Sequence, residues 1–138
     1  MPTTGAFSNY TEGKIVDIFL RGDSYDGGTV YLALLTAVSS GETGSVTEVD
    51  PAGTWGDYVR QEATWTVIDA GTGQTKNSNT ITFPANDGAA PITVTHVGIY
   101  TALTEGNLLF YGELTTSKTL AQGDVLSFAA NSIVFTVD

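Results

Sequence analysis

The chain has 138 residues, 41% of them hydrophobic, and fifteen acidic residues against five basic ones give it a formal charge of −10. This length and hydrophobic content predict one compact domain with its own core and exclude a disordered tail. The charge disfavours nucleic acid and anionic membrane surfaces as partners, because both are bound through Lys and Arg. Cysteine is absent, which excludes disulfides and thiolate catalysis.

The first residues of the chain have no apolar period. We therefore expect an N-terminal arm over residues 1–8 and one domain over residues 9–138. Phe7 is the large apolar side chain of this arm, which makes it a candidate contact with a partner protein.

The stretch "SNYTEGKIVDIFLRG" predicts one short helix. Three apolar residues share one of its faces: Ile15, Ile18 and Phe19. Asn9 or Thr11 is expected to cap the start, and Gly22 to end the helix in the left-handed conformation. A helix this short needs a sheet to lie against.

The next stretch, "TVYLALLTA", predicts a strand with two apolar faces, which is typical of a strand covered on both sides. A segment rich in Gly, Ser, Thr and acid follows from Val38 to Gly56, and a loop of that length is usually functional or mobile. At its end, Trp55 and Tyr58 are candidates either to anchor the loop or to contact a partner. With Tyr111, they could also stack on sugars, although packing within the protein is the commoner role of such rings.

Further strands are predicted in "YVRQEATWTVID" and "TITFPA". The stretches "ITVTHVGIYTA" and "NLLFYGEL", joined by "LTEG", predict a hairpin, and "DVLSFAANSIVFTVD" predicts a last hairpin that turns near Asn131. Regularly spaced turn signals between about eight strands indicate an all-β domain. We expect a β-sandwich or jelly roll with one short N-terminal helix.

Catalytic chemistry has little support in the residues. His96 is the single histidine, and a lone histidine on a strand is usually a hydrogen-bonded structural residue. No nucleophile elbow is present, and a zinc site would need more His or Cys. Glu105 and Glu113 flank a hairpin, but nothing in the sequence predicts the spacing that a glycosidase needs. We therefore expect no enzymatic activity, no cofactor and no metal site.

Several stretches, taken in order, resemble a family of small tailed-bacteriophage virion proteins that are labelled tail-fibre, minor structural or capsid cement proteins. The resemblance runs through "SNYTEGKIVDIFLRG", "VYLALLTA" and "TEV…YVRQ". It is most specific in "HVGIYTALTEGNLLFYGEL" and "AQGDVLSFAANSIVFTVD". The loop from Val38 to Gly56 is longer than the family pattern.

The resemblance implies a non-enzymatic virion protein that is made in the host cytoplasm. The first hypothesis is a capsid cement protein, a homotrimer on the capsid surface that bridges and stabilises subunits of the major capsid protein. The alternative is a tail-fibre or adhesin module that binds a host surface glycan.

Overall fold

A computed structural model describes residues 2–137 of the chain, with side chains described from residue 6 onward. The elements in chain order are β1 (Pro2–Phe7), α1 (Asn9–Arg21), β2 (Val30–Ser40), β3 (Ser45–Glu48), β4 (Gln61–Ala63), β5 (Gln74–Lys76), β6 (Ile81–Thr82), β7 (Ile92–Tyr100), β8 (Leu108–Leu120), β9 (Ser127–Phe128) and β10 (Val134–Thr136). The predicted class is confirmed, because the chain is mostly β-structure with one short N-terminal helix. The finer prediction of a sandwich or jelly roll stays a prediction.

The strands form one six-stranded antiparallel sheet in the order β1-β8-β7-β2-β3, in which β4 also pairs with β2. Two two-stranded sheets, β10-β5 and β6-β9, complete the β-structure of the described residues. Within the predicted N-terminal arm of residues 1–8, Pro2–Phe7 forms the edge strand β1 beside β8, and the division into an arm and a domain stays a prediction. Backbone pairing at a sheet edge does not require apolar alternation, so the sequence showed no period there.

The main core lies between the large sheet and the two small ones. Its members come from both sides, including Leu34, Ile99, Leu109, Ile81, Phe128 and Phe135. The prediction that β2 is covered on both faces is confirmed, since Ala33 and Leu35 belong to a second cluster on the opposite face. Tyr100 and Leu108 complete the buried part of that second cluster.

Two predicted segments are organised differently. The last two strands do not form a hairpin with each other, because β9 pairs with β6 and β10 pairs with β5. Asn131 does lie in a turn, with φ of 66°. The segment from Val38 to Gly56 is not all loop, since it contains the end of β2 and all of β3, which pair with each other.

The predicted hairpin of β7 and β8 is confirmed as an antiparallel pair. Its register shifts between Val94 and His96, which is a β-bulge or a similar irregularity. Simple alternation places these two residues on one face, but Val94 is fully buried in the main core and His96 is half-buried. Between these two pairs one residue of β7 lies opposite four residues of β8, and the facing of the later β7 side chains is reversed, so Val97 also enters the main core.

Candidate docking site

Helix α1 is attached to the large sheet through polar contacts of its first turn. The backbone N–H of Ser8 donates to the Leu109 carbonyl at 3.0 Å, and the Thr11 hydroxyl donates to the same carbonyl at 2.8 Å. The Ser8 hydroxyl donates to the Leu108 carbonyl. The structure therefore identifies Ser8 as the N-cap, one residue before the predicted Asn9, while the predicted end at Gly22 is confirmed by its φ of 70°.

Beyond this first turn, the helix exposes large apolar side chains. Four of them form the apolar face of α1, with exposed fractions of 36% for Ile15, 50% for Val16, 79% for Phe19 and 80% for Leu20. The prediction that the apolar side of the helix lies against the sheet is therefore wrong. Hydrogen bonds of the first turn, the packing of Tyr10 on the main core and the half-buried Ile18 hold the helix in place.

The helical spacing explains why these side chains face solvent. Thr11 is buried and Ile18 is half-buried, and seven residues are about two helical turns, so both lie on the side towards the sheet. Val16 and Leu20 each lie two residues from Ile18, which is about 200° around the axis. Their side chains consequently point away from the body of the protein.

A buried polar network lies elsewhere, between the long segment after β2 and the link from β7 to β8. Arg60, only 8% exposed, donates from Nε and Nη2 to the two carboxylate oxygens of Glu48 at 2.9 and 2.8 Å. Its Nη1 donates to the carbonyls of Ala102 and Glu105 at 2.8 and 2.7 Å. The guanidinium carbon lies 3.7 Å from the centre of the Tyr100 ring, so one side chain ties three segments together.

Tyr58 extends this arrangement, which we call the Arg60 network (Glu48, Tyr58 and Arg60). The Tyr58 hydroxyl donates to Glu48 at 2.7 Å and accepts the backbone N–H of Leu34 at 3.0 Å. Burial and the negative charge of Glu48 raise the pKa of Tyr58. Burial opposes the charge on Arg60, but its hydrogen bonds to Glu48 and the Glu48 charge raise the pKa of Arg60 overall. Glu48 and Arg60 thus form an ion pair, to which Tyr58 adds a further hydrogen bond on the Glu48 carboxylate.

A polar cleft of about 480 Å³ lies beside the start of α1. Its lining is Ser8, Asn9, Tyr10, Glu42, Thr43, Gly44, Tyr100, Gly106, Asn107 and Leu108. No basic side chain is among these residues, so the cleft suits a neutral polyhydroxyl ligand better than an anion.

The comparison with protein families bears on how these features are used. A family model described as "Podophage GP4 fiber I protein gp80" matches residues 6–136. The chain belongs to this family. It is therefore a phage structural protein of a family labelled as fibre, and a component of the virion. A comparison with curated proteins returned no match.

The resemblance to phage virion proteins drawn from the sequence is confirmed by this family membership. The stretch "TEV…YVRQ", which contributed to that resemblance, has a physical role in the structure. It contains all three members of the Arg60 network: Glu48, Tyr58 and Arg60. The sequence analysis did not predict the ion pair of Glu48 and Arg60. Its signal was one acidic and one basic residue in two polar segments that follow the buried strand β2.

The residues predicted to contact a partner do not form one site. Trp55 is fully buried, and Tyr58 is 7% exposed with its ring 5.7 Å from that of Trp55. Both are core residues that anchor the long segment, so neither offers a surface to a partner or a sugar. Tyr111 is half-buried, with its ring packed on Gly41, where a Cβ atom would overlap it. Phe7 is half-buried, and its contact with a partner stays a prediction.

Phe7 packs on the large sheet, with its ring centre 5.1 Å from that of Phe110. His96 forms one hydrogen bond through Nδ1 with the Thr95 hydroxyl at 2.8 Å, as expected for a structural histidine, and its structural role stays a prediction. Across the described residues, no three His, Asp or Glu side chains are grouped so as to hold a metal ion. Within residues 2–137, no helix has the length and apolar character to cross a membrane.

Proposed function

We propose that this chain is a non-enzymatic structural subunit of a phage fibre, and that the apolar face of α1 docks onto another protein surface in the virion. The family membership supports the fibre. The exposed apolar face of α1 carries the docking function.

The physical argument is that exposed apolar area is favourable to bury and unfavourable to leave in water. Phe19 and Leu20 are neighbours, and each exposes about four-fifths of its surface. Large side chains of this kind dominate the energy of protein interfaces when a partner covers them. Thr11 and Ile18 face the sheet, which leaves the opposite face of the helix accessible to a partner surface.

The test is incorporation of variants into particles. Phages that carry the double substitution Phe19→Gln and Leu20→Gln should assemble without this protein, whereas Val67→Gln should be incorporated normally. Val67 is a matched control because it is apolar and 93% exposed, but lies away from α1, between β4 and β5. Normal incorporation of the double variant would contradict the proposal.

The capsid cement function remains the second candidate, with the major capsid protein and further copies in a homotrimer as partners. Its support is the formal charge of −10, which would suit docking on a basic shell surface. Imaging intact particles by electron microscopy separates the two functions. Density for this protein on fibres would support the first function. Density on the shell would support the cement function and overturn the proposal of a fibre subunit.

Glycan binding is a third candidate, and we propose the polar cleft rather than the aromatic residues named above as its site. The amides of Asn9 and Asn107 and the carboxylate of Glu42 are groups that bind sugar hydroxyls, and Tyr10 lies beside them. Retention of the isolated protein on host cells, lost on Asn107→Ala and Tyr10→Ala, would support this function. Absence of retention would exclude it.

A further inference from the structure

We infer that an apolar pocket between the large sheet and the β5–β10 pair is a binding site for one neutral aromatic ring. The pocket has a volume of about 180 Å³. Its lining is Val30, Trp65, Thr75, Ile99, Leu109, Phe110, Phe135 and Val137. It shares no residue with the polar cleft or with the apolar face of α1, so the inference is independent of the proposed docking function.

The pocket has a floor in the main core and a rim at the surface. Ile99, Leu109 and Phe135 are between 3% and 7% exposed, and these buried side chains form the floor. The remaining lining residues are half-buried, except for Val137, which is 42% exposed. A ligand that enters from solvent therefore comes into contact with side chains of the core.

The chemistry of the lining selects a neutral, apolar ligand. None of the lining residues is charged, and the Thr75 hydroxyl already donates to the Thr66 carbonyl at 2.7 Å. A charged group would lose its hydration in this pocket and gain no ion pair in return. Apolar hollows of a comparable size stay free of water and bind molecules such as benzene, because the ligand restores the dispersion contacts that the empty lining lacks.

The walls favour an aromatic ring over an aliphatic group of the same size. The ring centres of Trp65 and Phe135 lie 5.4 Å apart at an interplanar angle of 68°, and those of Phe110 and Phe135 lie 5.6 Å apart at 48°. These rings present both edges and faces to the pocket, which are the surfaces that a further ring contacts in tilted or edge-to-face pairs. The volume admits one ring and excludes a helix or a long acyl chain.

The same ring has two possible sources. One is an aromatic side chain on a neighbouring protein of the virion, since the chain is a virion component. The other is a free aromatic molecule taken up from the host. Both present the same chemistry to the pocket, and the particle experiment below distinguishes them.

The first experiment uses the two tryptophans of the chain as an internal comparison. Trp65 lines the pocket, whereas Trp55 is fully buried and is not part of the lining. The full chain is labelled with fluorotryptophan, its fluorine NMR resonances are assigned with Trp65→Phe, and it is titrated with toluene, the analogue of the Phe side chain. The Trp65 resonance should shift with a dissociation constant on the order of 1 mM, and the Trp55 resonance should stay in place.

The choice of ligand tests the chemistry of the site. Methylcyclohexane should bind about two- to tenfold more weakly than toluene, because it lacks the ring contacts. Benzoate, which adds a charge to a similar ring, should give no saturable shift. Absence of a saturable shift with toluene, equal shifts of both tryptophans, or benzoate binding as tight as that of toluene would overturn the inference.

A variant that fills the pocket localises the binding. Val30→Phe enlarges a half-buried side chain of the rim and should weaken toluene binding at least about tenfold, because a filled pocket has no room for the ligand. Val125→Phe is the matched control, since Val125 is 54% exposed and lies outside the lining. Val137→Trp, at the exposed part of the rim, replaces Val30→Phe if circular dichroism shows that the latter is unfolded. Undiminished binding in the folded filled variant would contradict this location.

Incorporation of the same variants into particles identifies the source of the ring. Reduced incorporation of Val30→Phe, with normal incorporation of Val125→Phe, would assign the ring to a neighbouring virion protein. Normal incorporation of both, with a small aromatic compound detected by mass spectrometry in a solvent extract of the protein from particles, would assign it to a free molecule. Normal incorporation without such a compound would overturn occupancy in the virion.

Failure of this inference is distinguishable from failure of the proposed function. The double substitution Phe19→Gln and Leu20→Gln lies outside the pocket and should bind toluene as tightly as the natural chain. Its exclusion from particles therefore tests the apolar face of α1 alone, whereas the toluene titration tests the pocket alone.

Discussion

The Arg60 network and the apolar face of α1 place polar and apolar groups in opposite ways. In the first, a charged pair is buried and its hydrogen-bonding groups are occupied within the chain. In the second, large apolar side chains are exposed to water, most of all Phe19 and Leu20. A satisfied polar group needs no further partner, whereas an uncovered apolar surface gains free energy from one. The comparison separates a region that stabilises the fold from a region available for assembly.

The largest expected effect comes from breaking the Arg60 network. Arg60→Ala should lower the free energy of unfolding by about 3 kcal/mol, the lower end for a buried pair, because it leaves the partly exposed Glu48 carboxylate without its ion-pair partner. Urea unfolding measures this change. Arg21→Ala is the control, since it removes an ion pair to Asp17 whose Arg side chain is 75% exposed and should cost at most about 1 kcal/mol. Equal losses for the two variants would contradict the structural role of the network.

The next effect is a loss of stability at high pH. The pKa of Tyr58 is raised in the folded protein, so above about pH 10 the unfolded chain releases a proton that the folded chain retains. The contribution of Tyr58 to the free energy of unfolding is therefore fully present below that pH. Above it, the free energy of unfolding falls by about 1.4 kcal/mol per pH unit because of this tyrosine. Tyr58→Phe should flatten the decline measured by urea unfolding between about pH 10 and 11. An unchanged slope in this variant would show that Tyr58 is not its source.

A smaller effect is expected at the attachment of α1. Ser8→Ala should lower the free energy of unfolding by about 1 kcal/mol, because it removes the N-cap and a hydrogen bond to the Leu108 carbonyl. Asn9→Ala is the matched control, since Asn9 is exposed and does not cap the helix, and its effect should be close to zero. Thermal unfolding followed by circular dichroism compares the two variants. A larger loss for Asn9→Ala would mean that the cap is misassigned.

The smallest effect on stability is expected at the apolar face of α1, where we expect the largest effect on assembly. The double substitution Phe19→Gln and Leu20→Gln should change the free energy of unfolding by less than about 1 kcal/mol, because both side chains are already in water and Gln is a good helix former. The same thermal measurement checks this value. A pronounced loss of stability would show that these side chains support the fold, and would weaken the comparison.

Local patterns in the sequence were sufficient for several elements. Two apolar faces predicted the doubly covered β2, and Gly22 marked the end of α1 in the left-handed conformation. The β7–β8 hairpin also followed from alternation and its short link. The side of the sheet on which Val94 lies relative to His96 did not follow from alternation. It depends on an irregularity in register, which is set by the partner strand rather than by the residue itself.

The candidate sites were less accessible to the same reasoning. The sequence of a polar segment does not show whether a Trp within it is exposed or buried. Trp55 was therefore named as a possible contact, although it lies in the core. The apolar residues of α1 were recognised, but periodicity alone does not tell whether a neighbouring surface covers them. Arg60 was missed because its carbonyl partners lie more than forty residues away along the chain.

The sequence by itself determined the class of the fold, the helix and its end, the principal strands and the relation to phage virion proteins. These features depend on residue type and on spacing over a few positions, which the chain carries directly. Only the tertiary structure decided which strands pair with β1, β9 and β10. It also decided the burial of Arg60 and the outward direction of the apolar face of α1. Those features depend on which distant segment arrives beside each residue, because burial and hydrogen bonding are completed by neighbours in space rather than by neighbours in sequence.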